Sequence, residues 1–201
     1  MIMLLLICRI RQFMVMNKML GLFKKDKSDS YVESVLNIPS SSEKWLPVLH
    51  VAVGGLTEVG FSHKQNHLLL VVSSSGRSVY NCINGEKLAR DYSDHADWYS
   101  PLSLICKGIG PLSHEDISIS GLCGGGLPMY NRYGESLVRV APQWPLELLI
   151  WCPKNKDALT VGHQDGCIRL ASDHFICTGF SWDGEFIVSA TSSDFTVWCR
   201  K

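Results

Sequence analysis

The glycine-rich string Gly121–Gly126 contains the residues of this chain that are best placed to do chemistry. Its three successive glycines would allow backbone amides to converge on an anion or an oxyanion. Cys123 lies inside the string and is a candidate nucleophile, with His114 or His163 as its base. Since no P-loop lysine or Rossmann helix follows, the alternative is that the glycines form a bulge or a tight crossing between strands.

Two other polar segments resemble functional motifs but depart from them. Gly179–Gly184 is one residue longer than a Gly-x-Ser-x-Gly nucleophile elbow, and an apolar strand follows where an elbow requires a helix. Asp91–Trp98 holds three carboxylates and a histidine, yet lacks the spacing and central glycine of a calcium loop. The seven histidines show no zinc-like clustering. We therefore predict a structural Ser181, no metal site and no cofactor.

Several aromatic and arginine residues lie in the less regular middle of the chain. Such residues are the usual anchors of protein interfaces. The candidate binding residues are Trp98, Tyr130, Arg132, Tyr133 and Trp144. The alternative is that they cap the ends of sheets, because aromatic residues are frequent in both settings.

An internal repeat predicts the elements that position these residues. Gly60–Ser62 and the apolar run that follows it return near the C-terminus as Gly179–Ser181 and a second apolar run. Both runs, Leu68–Val72 and Phe186–Ala190, are typical of strands buried on both faces. Asp-Gly or Asn-Gly pairs and serines between the runs favour tight turns. Each copy therefore predicts antiparallel strands, and the first copy predicts a four-stranded meander.

The second copy resembles a blade of a WD40-like β-propeller. The resemblance rests on the phenylalanine, serine and Asp-Gly turn of Gly179–Gly184 and on the later pair Val197-Trp198. It extends over Gly60–Arg90 and Gly179–Lys201 and implies a propeller-like fold. The family's Gly-His opening and its Trp-Asp pair at the end of the third strand are absent, so this chain must join its blades in another way.

With the rest of the chain included, the expected number of antiparallel sheet units is about four. This is the smallest number of blades that is typical of propellers. Further strands are predicted at Ile117–Leu122, Leu127–Tyr130, Ser136–Val140 and Leu146–Cys152, followed by a hairpin of Ala158–Gly162 with Cys167–Ala171. Residues 48–53 are expected to add an outer strand to the last copy, which would close the array and join the two ends of the chain. The predicted fold class is all-β, as a small or incomplete propeller-like array.

Composition excludes several functional classes. The formal net charge is zero, so the chain lacks the basic surface of a nucleic-acid-binding protein. The eight cysteines form no Cys-x-x-Cys pair and are expected to be small buried hydrophobic residues in the reducing cytoplasm. The apolar N-terminal run is interrupted by Arg9 and Arg11, and it is too short to cross a membrane.

Two regions are expected along the chain. Residues 1–42 are predicted to form an N-terminal extension and polar leader, partly disordered, with one short helix at Tyr31–Leu36. The first 15 residues are interpreted as an extension ahead of a start at Met16. Residues 43–201 are predicted to form a single β domain.

These observations predict a non-catalytic module that binds another protein in the cytoplasm, because repeated sheets present rigid loops on one face. One concrete form is a bacterial immunity-type protein that occludes a toxin. The alternative is a hydrolase with a cysteine or serine nucleophile near Gly121–Gly126. A third hypothesis is a small-ligand binder that uses a central channel.

Overall fold

The computed structural model describes residues 30–40 and 43–201, in which most of the regular secondary structure is β-strand. Residues 30–36 are helical and are called α1. Short 3-10 helices occupy His95–Asp97 and Gly110–Leu112. The strands are Trp45–Ala52 (β1), Leu56–Phe61 (β2), Leu68–Ser73 (β3), Gly76–Asn81 (β4), Lys87–Asp91 (β5), Tyr99–Ser100 (β6), Ile105–Lys107 (β7), Asp116–Ser118 (β8), Ser120–Gly121 (β9), Ser136–Gln143 (β10), Leu146–Cys152 (β11), Ile168–Asp173 (β12), Cys177–Phe180 (β13), Phe186–Ala190 (β14) and Asp194–Arg200 (β15).

The strands form four antiparallel sheets. Sheet I has the order β5-β4-β3-β2-β9, and sheet II has the order β6-β7-β8. Sheet III has the order β10-β11-β12, and sheet IV has the order β1-β15-β14-β13. The all-β class and the four antiparallel units are therefore confirmed, whereas closure into a propeller stays a prediction.

The first and last strands of the described chain pair with each other. In the ladder between β1 and β15, Trp45 lies opposite Arg200 and Ala52 lies opposite Asp194. The outer strand expected at residues 48–53 is thus present, and it begins three residues earlier than predicted. It covers the edge of β15 that would otherwise present unpaired backbone groups.

Strand β3 is buried on both faces, as its apolar run predicted. Leu69 and Val71 point toward sheet IV, where they join a cluster that contains Val188 of β14. Leu68 and Leu70 point the other way, into a cluster with side chains of sheet II. Because alternate residues of a strand face opposite sides, one aliphatic run serves two neighbouring sheets.

Two further clusters extend the stack. Sheets IV and III share a cluster that includes Phe180 and Ile187 on one side and Leu149 on the other. The far face of sheet III packs against Val35 of α1 and the nearby Ile38. The buried clusters therefore connect the elements in the order sheet II, sheet I, sheet IV, sheet III and α1.

Gly60 and Gly179, which occupy the same position in the two copies, both lie in close contact with a neighbouring segment. A Cβ atom on Gly60 would lie 2.4 Å from the carbonyl oxygen of Ser118 in sheet II. A Cβ atom on Gly179 would lie 2.2 Å from the Cβ of Leu127. The phenylalanine that follows each glycine is fully buried. The two copies therefore place a closely packed glycine and a buried phenylalanine at the same position of their first strand, since each glycine admits close approach of a neighbouring segment.

Some predicted elements are wrong. Residues 158–162 form turns, because Asp157 accepts hydrogen bonds from the amide of Leu159 and the hydroxyl of Thr160, which favours a local turn over a ladder. The segment 127–130 is not a regular strand, although it has a bridge between Tyr130 and Ser136 and accepts backbone hydrogen bonds from Phe180 and Leu137. Strands β6 and β7 were not predicted at all.

Residues 30–40 pack against sheet III. Val35 and Ile38 are buried, and the amide of Arg169 donates to the carbonyl of Pro39 at 2.8 Å. The helix predicted at Tyr31–Leu36 is confirmed, although it belongs to the core of this sheet instead of a solvated leader. The rest of that leader, including the expected start at Met16, lies outside the described residues.

Candidate functional site

The turns between strands gather at two ends of the molecule, because β2 begins beside the turn 191–193 and ends beside Trp182, which follows β13. The turns 62–67, 131–135 and 181–185 lie at one end, which we call the Glu135 end. The turns 74–75, 121–124, 144–145 and 191–193 lie at the other, which we call the Gly124 end. Backbone hydrogen bonds from Leu56 to Ser192 and from Ser74 to Gly55 join turns of sheets I and IV at the Gly124 end.

At the Glu135 end, polar contacts join sheet I to both of its neighbours. The indole of Trp182 donates to the carbonyl of Phe61 at 3.0 Å and stacks on His63 with 4.0 Å between ring centroids. On the other side, Ser62 donates to the carboxylate of Glu115 at 2.6 Å, and that carboxylate also accepts the amide of His63. These contacts occupy the turn that follows the first strand of a repeat copy.

Glu135 joins sheets III and IV. Its side chain is 4% exposed and accepts two hydrogen bonds from Arg200, at 3.0 and 2.6 Å, and one from Lys44 at 2.6 Å. Asn131 and Trp151 donate to the same carboxylate. Burial alone would raise the pKa of Glu135, but these hydrogen bonds outweigh it and lower the pKa to about 2. The chain thus joins its sheets through ion pairs and turn contacts of its own.

The turn before Glu135 resembles the turn at 181–184 of the second copy. The amide of Gly134 donates to the carbonyl of Asn131 at 3.0 Å, as the amide of Gly184 donates to the carbonyl of Ser181 at 2.9 Å. The glycine of each turn has positive φ, 75° at Gly134 and 77° at Gly184. Sequence reasoning missed this resemblance, although the Gly-Glu pair ahead of an apolar strand was a usable signal.

The predicted binding residues do not form one surface. Arg132 and Tyr133 lie at the Glu135 end, where both donate hydrogen bonds to Glu185. Tyr130, 75% exposed, precedes the same turn. Trp144, 83% exposed, lies in the turn at the opposite end of β10. An eight-residue strand of about 26 Å separates the two groups.

Trp98 was wrongly predicted to be a surface anchor. It is 4% exposed and lies in the core cluster between sheets I and II. The guanidinium of Arg77 lies 4.5 Å from its ring centroid, and its indole nitrogen donates to the carbonyl of Ser93. A large apolar ring with one satisfied polar atom is well suited to such a buried position.

Most of the glycine string forms a tight crossing, which was the alternative to an anion site. Gly121 and Gly124 bond to each other through both of their amides, at 2.9 and 3.1 Å. A Cβ atom on Gly121 would lie 2.1 Å from the carbonyl oxygen of Thr57. Within the described residues, by contrast, no backbone hydrogen bond engages the amides of Gly125 and Gly126. These two glycines line a cavity of about 280 Å³ at the Gly124 end.

Cys123 is exposed and contacts an unpredicted pair of residues. Its sulfur lies 3.0 Å from the hydroxyl of Tyr99, which donates to Glu58 Oε1 at 3.0 Å. Glu58 is fully buried, and its Oε2 has no hydrogen-bond partner among the described residues. Burial, together with the hydrogen bonds to Cys123 and Glu58, raises the pKa of Tyr99.

The histidines predicted as bases are not brought to Cys123. No hydrogen bond within residues 30–40 and 43–201 joins its thiol to His114 or His163. Ser120, the serine nearest the glycine string, is buried and accepts a hydrogen bond from Cys177 at 3.2 Å. The sequence did not indicate Tyr99 and Glu58, because they lie 24 and 65 positions away from Cys123. Only the arrangement of the sheets brings Tyr99 to Cys123 and Glu58 to Tyr99.

Large hydrophobic side chains are exposed around the Gly124 end. They lie in turns or at the ends of strands, where the backbone is held by the sheets. These residues are Tyr92 (76% exposed), Leu102 (99%), Leu122 (72%), Trp144 (83%) and Leu146 (44%). They are distributed over turns and strand ends of sheets I, II and III at the end that contains the cavity.

No protein-family model matches the chain, and no curated protein matches it in sequence. Among the described residues, no group of three or more His, Cys, Asp or Glu side chains could hold a metal ion. Within the same part of the chain, no helix has the length and hydrophobicity needed to cross a membrane.

Proposed function

We propose that this protein is a non-catalytic module that binds another protein through its Gly124 end. The observation that carries the proposal is Trp144, which is 83% exposed beside the partly exposed Leu146. Single exposed hydrophobic residues are common, but several large ones at one end of a rigid scaffold are typical of an interaction surface. Burying a tryptophan removes about 200 Å² from water, worth about 5 kcal/mol.

The scaffold supports this function because the apolar side chains are carried by short turns between paired strands. Little conformational entropy is then lost when a partner covers them. The formal net charge of zero gives the chain no overall electrostatic attraction for a partner of either sign. Contact area and shape therefore contribute most of the affinity.

The concrete form that we propose is a cytoplasmic, bacterial immunity-type protein that occludes a toxin. The toxin to test is the product of a toxin-like reading frame beside the gene for this chain. Excess purified protein should suppress the toxin's activity, and Trp144→Ala should weaken this suppression at least about tenfold. Unchanged toxin activity in the presence of excess protein would eliminate this form of the proposal.

The binding surface can be located in cells by photo-crosslinking. A crosslinking amino acid placed at Trp144 should capture one defined partner, and the same group at Leu122 should capture it as well. Tyr130 provides the matched control, because it is 75% exposed but belongs to the Glu135 end. Capture of that partner at Tyr130, and at neither of the other two positions, would contradict the proposed surface.

A second candidate function is hydrolysis with Cys123 as nucleophile, which the contact with Tyr99 and Glu58 favours. The thiol proton would pass to the tyrosine oxygen while the tyrosine proton passes to Glu58. The sulfur would then bond to an ester carbonyl carbon, the alcohol would leave with a proton, and water would release the acid and restore the thiol. Cys123→Ala distinguishes the candidates, since an esterase would lose turnover of p-nitrophenyl acetate while a binding module would keep its partner affinity.

A further inference from the structure

The cavity at the Gly124 end is built where three sheets meet. Its wall takes residues from β9 of sheet I, β10 of sheet III and β13 of sheet IV, and its volume is about 280 Å³. Leu127, Met129 and Ile176 give it an apolar side. Arg139 and Thr178 give it a polar side. The cavity is thus large enough for a small molecule, or the end of a chain, that has one polar and one apolar part.

Arg139 reaches this wall with much of its hydrogen-bonding capacity uncommitted. Its Nη2 donates to Glu147 at 2.6 Å and to the carbonyl of Phe175 at 2.8 Å, which uses both hydrogens of that nitrogen. In the described part of the chain, no hydrogen bond engages Nε or Nη1, although the guanidinium carbon lies 5.8 Å from the ring centroid of Phe175. An arginine has five N–H donors, so about three remain for a ligand.

Three glycines line the wall, Gly121, Gly125 and Gly126, and the last of them leaves its backbone open to the cavity. A Cβ atom on Gly126 would meet no atom within 4 Å, and its φ lies outside the left-handed region. The amides of Gly125 and Gly126 are also free of backbone hydrogen bonds within the described residues. Backbone without a side chain in front of it allows close approach by a ligand oxygen.

We propose that this cavity binds a carboxylate joined to a short apolar body. Arg139 would donate a charge-assisted hydrogen bond to the carboxylate, and Leu127 and Met129 would cover the apolar part. The carboxylate of Glu147 already offsets the single positive charge of Arg139, so a doubly charged phosphate would be repelled more strongly here than a carboxylate with one negative charge. The carboxylate can belong to a small organic acid or to the C-terminus of a peptide. This inference does not rest on the proposed binding of a partner protein.

The cavity contains its own spectroscopic reporter. Met129 is the single methionine of the described residues, since the other five lie at positions 1, 3, 14, 16 and 19. With ¹³C-methyl-labelled methionine, sodium hexanoate should produce a saturable shift of the Met129 signal. Hexanamide has nearly the same shape without the charge, and it should bind at least about tenfold more weakly. Inorganic phosphate should leave the signal unshifted.

Two variants with matched controls test the assignment of the wall. Arg139→Gln should weaken hexanoate binding at least about tenfold, whereas Arg132→Gln, at the Glu135 end, should not. Gly126→Val should fill the cavity and abolish the shift. Gly54→Val is its control, because a Cβ atom there also meets nothing within 4 Å and Gly54 lies outside the cavity. The glycine variant remains informative if loss of Arg139 weakens the fold.

A peptide titration distinguishes the two sources of the carboxylate. An acetylated tripeptide ending in leucine with a free C-terminus should be compared with its C-terminal amide. A shift with this acid and none with hexanoate would assign the cavity to chain ends, and the reverse would assign it to small acids. The proposal is overturned if neither acid binds, if acid and amide bind equally, or if Arg139→Gln leaves acid binding unchanged.

Discussion

Glu135 is a buried carboxylate that accepts hydrogen bonds from two cationic side chains, Arg200 and Lys44, so Glu135→Gln should destabilise the protein strongly at pH 7. The folded state lowers the pKa of this group from 4.5 to about 2. Its contribution of about 3 kcal/mol is therefore fully present above pH 4.5 and is lost as the pH falls through about 2. Urea unfolding of both proteins should show a difference at pH 7 that shrinks toward pH 2.

Asp165→Asn is the control for this prediction. Asp165 also forms an ion pair, with Lys156 at 3.1 Å, but its side chain is 86% exposed. An exposed pair of this kind contributes about 1 kcal/mol or less. Equal stability of the Glu135→Gln variant and the parent protein at pH 7 would contradict the assignment of Glu135 as the contact that joins sheets III and IV.

The cysteines should differ sharply in reactivity. Burial raises the pKa of Cys106 and Cys177 to about 11 and that of Cys167 to about 12, so these thiols stay protonated and shielded at pH 8. Cys123 is exposed. In the native protein, Cys123→Ala should therefore remove one rapidly reacting equivalent of a disulfide reagent such as 5,5′-dithiobis(2-nitrobenzoate). Cys177→Ala should leave the rapid phase unchanged, and an unchanged phase in both variants would contradict the described exposure.

At the residue scale, the sequence identified side chains that could do chemistry, but it did not predict which residues lie next to them in the fold. Cys123 could be singled out by its position among glycines, since glycine strings are uncommon and locally visible. Its contact with Tyr99 depends on how the turns of different sheets meet, and no local pattern encodes that. The burial of Trp98 was missed for the same reason, because an aromatic residue near a polar loop fits a core and a surface equally well.

At the element scale, the repeated glycines should be the least tolerant positions of their strands. Gly60→Ala and Gly179→Ala each place a Cβ atom within 2.4 Å of a neighbouring element, so one of the two elements must move. We expect each to lower the free energy of unfolding by about 1–3 kcal/mol. Chemical denaturation measures this directly. Gly54→Ala is the control and should change stability by less than about 0.5 kcal/mol, since its Cβ atom meets open space.

The elements that the sequence predicted are those with long apolar runs. Strands β3, β11 and β14 have five or more residues and are buried along most of their length, so composition alone located them. Strands β6 and β7 have two and three residues, too few for any period to appear. At residues 158–162 an apolar pattern was outweighed by the turn that the side chain of Asp157 stabilises.

At the scale of the whole molecule, the order of the sheets comes from packing that a linear pattern does not record. Within residues 30–40 and 43–201, the stack ends on one side with α1 and on the other with sheet II, whose Lys107, Asp116 and Ser118 are exposed. The pairing of β1 with β15 could be predicted, because the second copy of the repeat has three strands where the first has four. The sequence could not predict which faces of the sheets pack together, since aliphatic side chains are interchangeable to a first approximation.

The pairing of β1 with β15 holds the described chain together, so breaking it should have consequences beyond the strand itself. Leu49, opposite Val197 in the middle of that ladder, is the position to test. Leu49→Pro removes a backbone donor and should destabilise the protein by about 2 kcal/mol or more beyond the loss caused by Leu49→Ala, which keeps the donor. An uncovered β15 would also present a free edge, and the proline variant should form oligomers at concentrations where the alanine variant stays unchanged. Denaturation and light scattering measure the two effects, and equal behaviour of the variants would show that the ladder contributes little to stability.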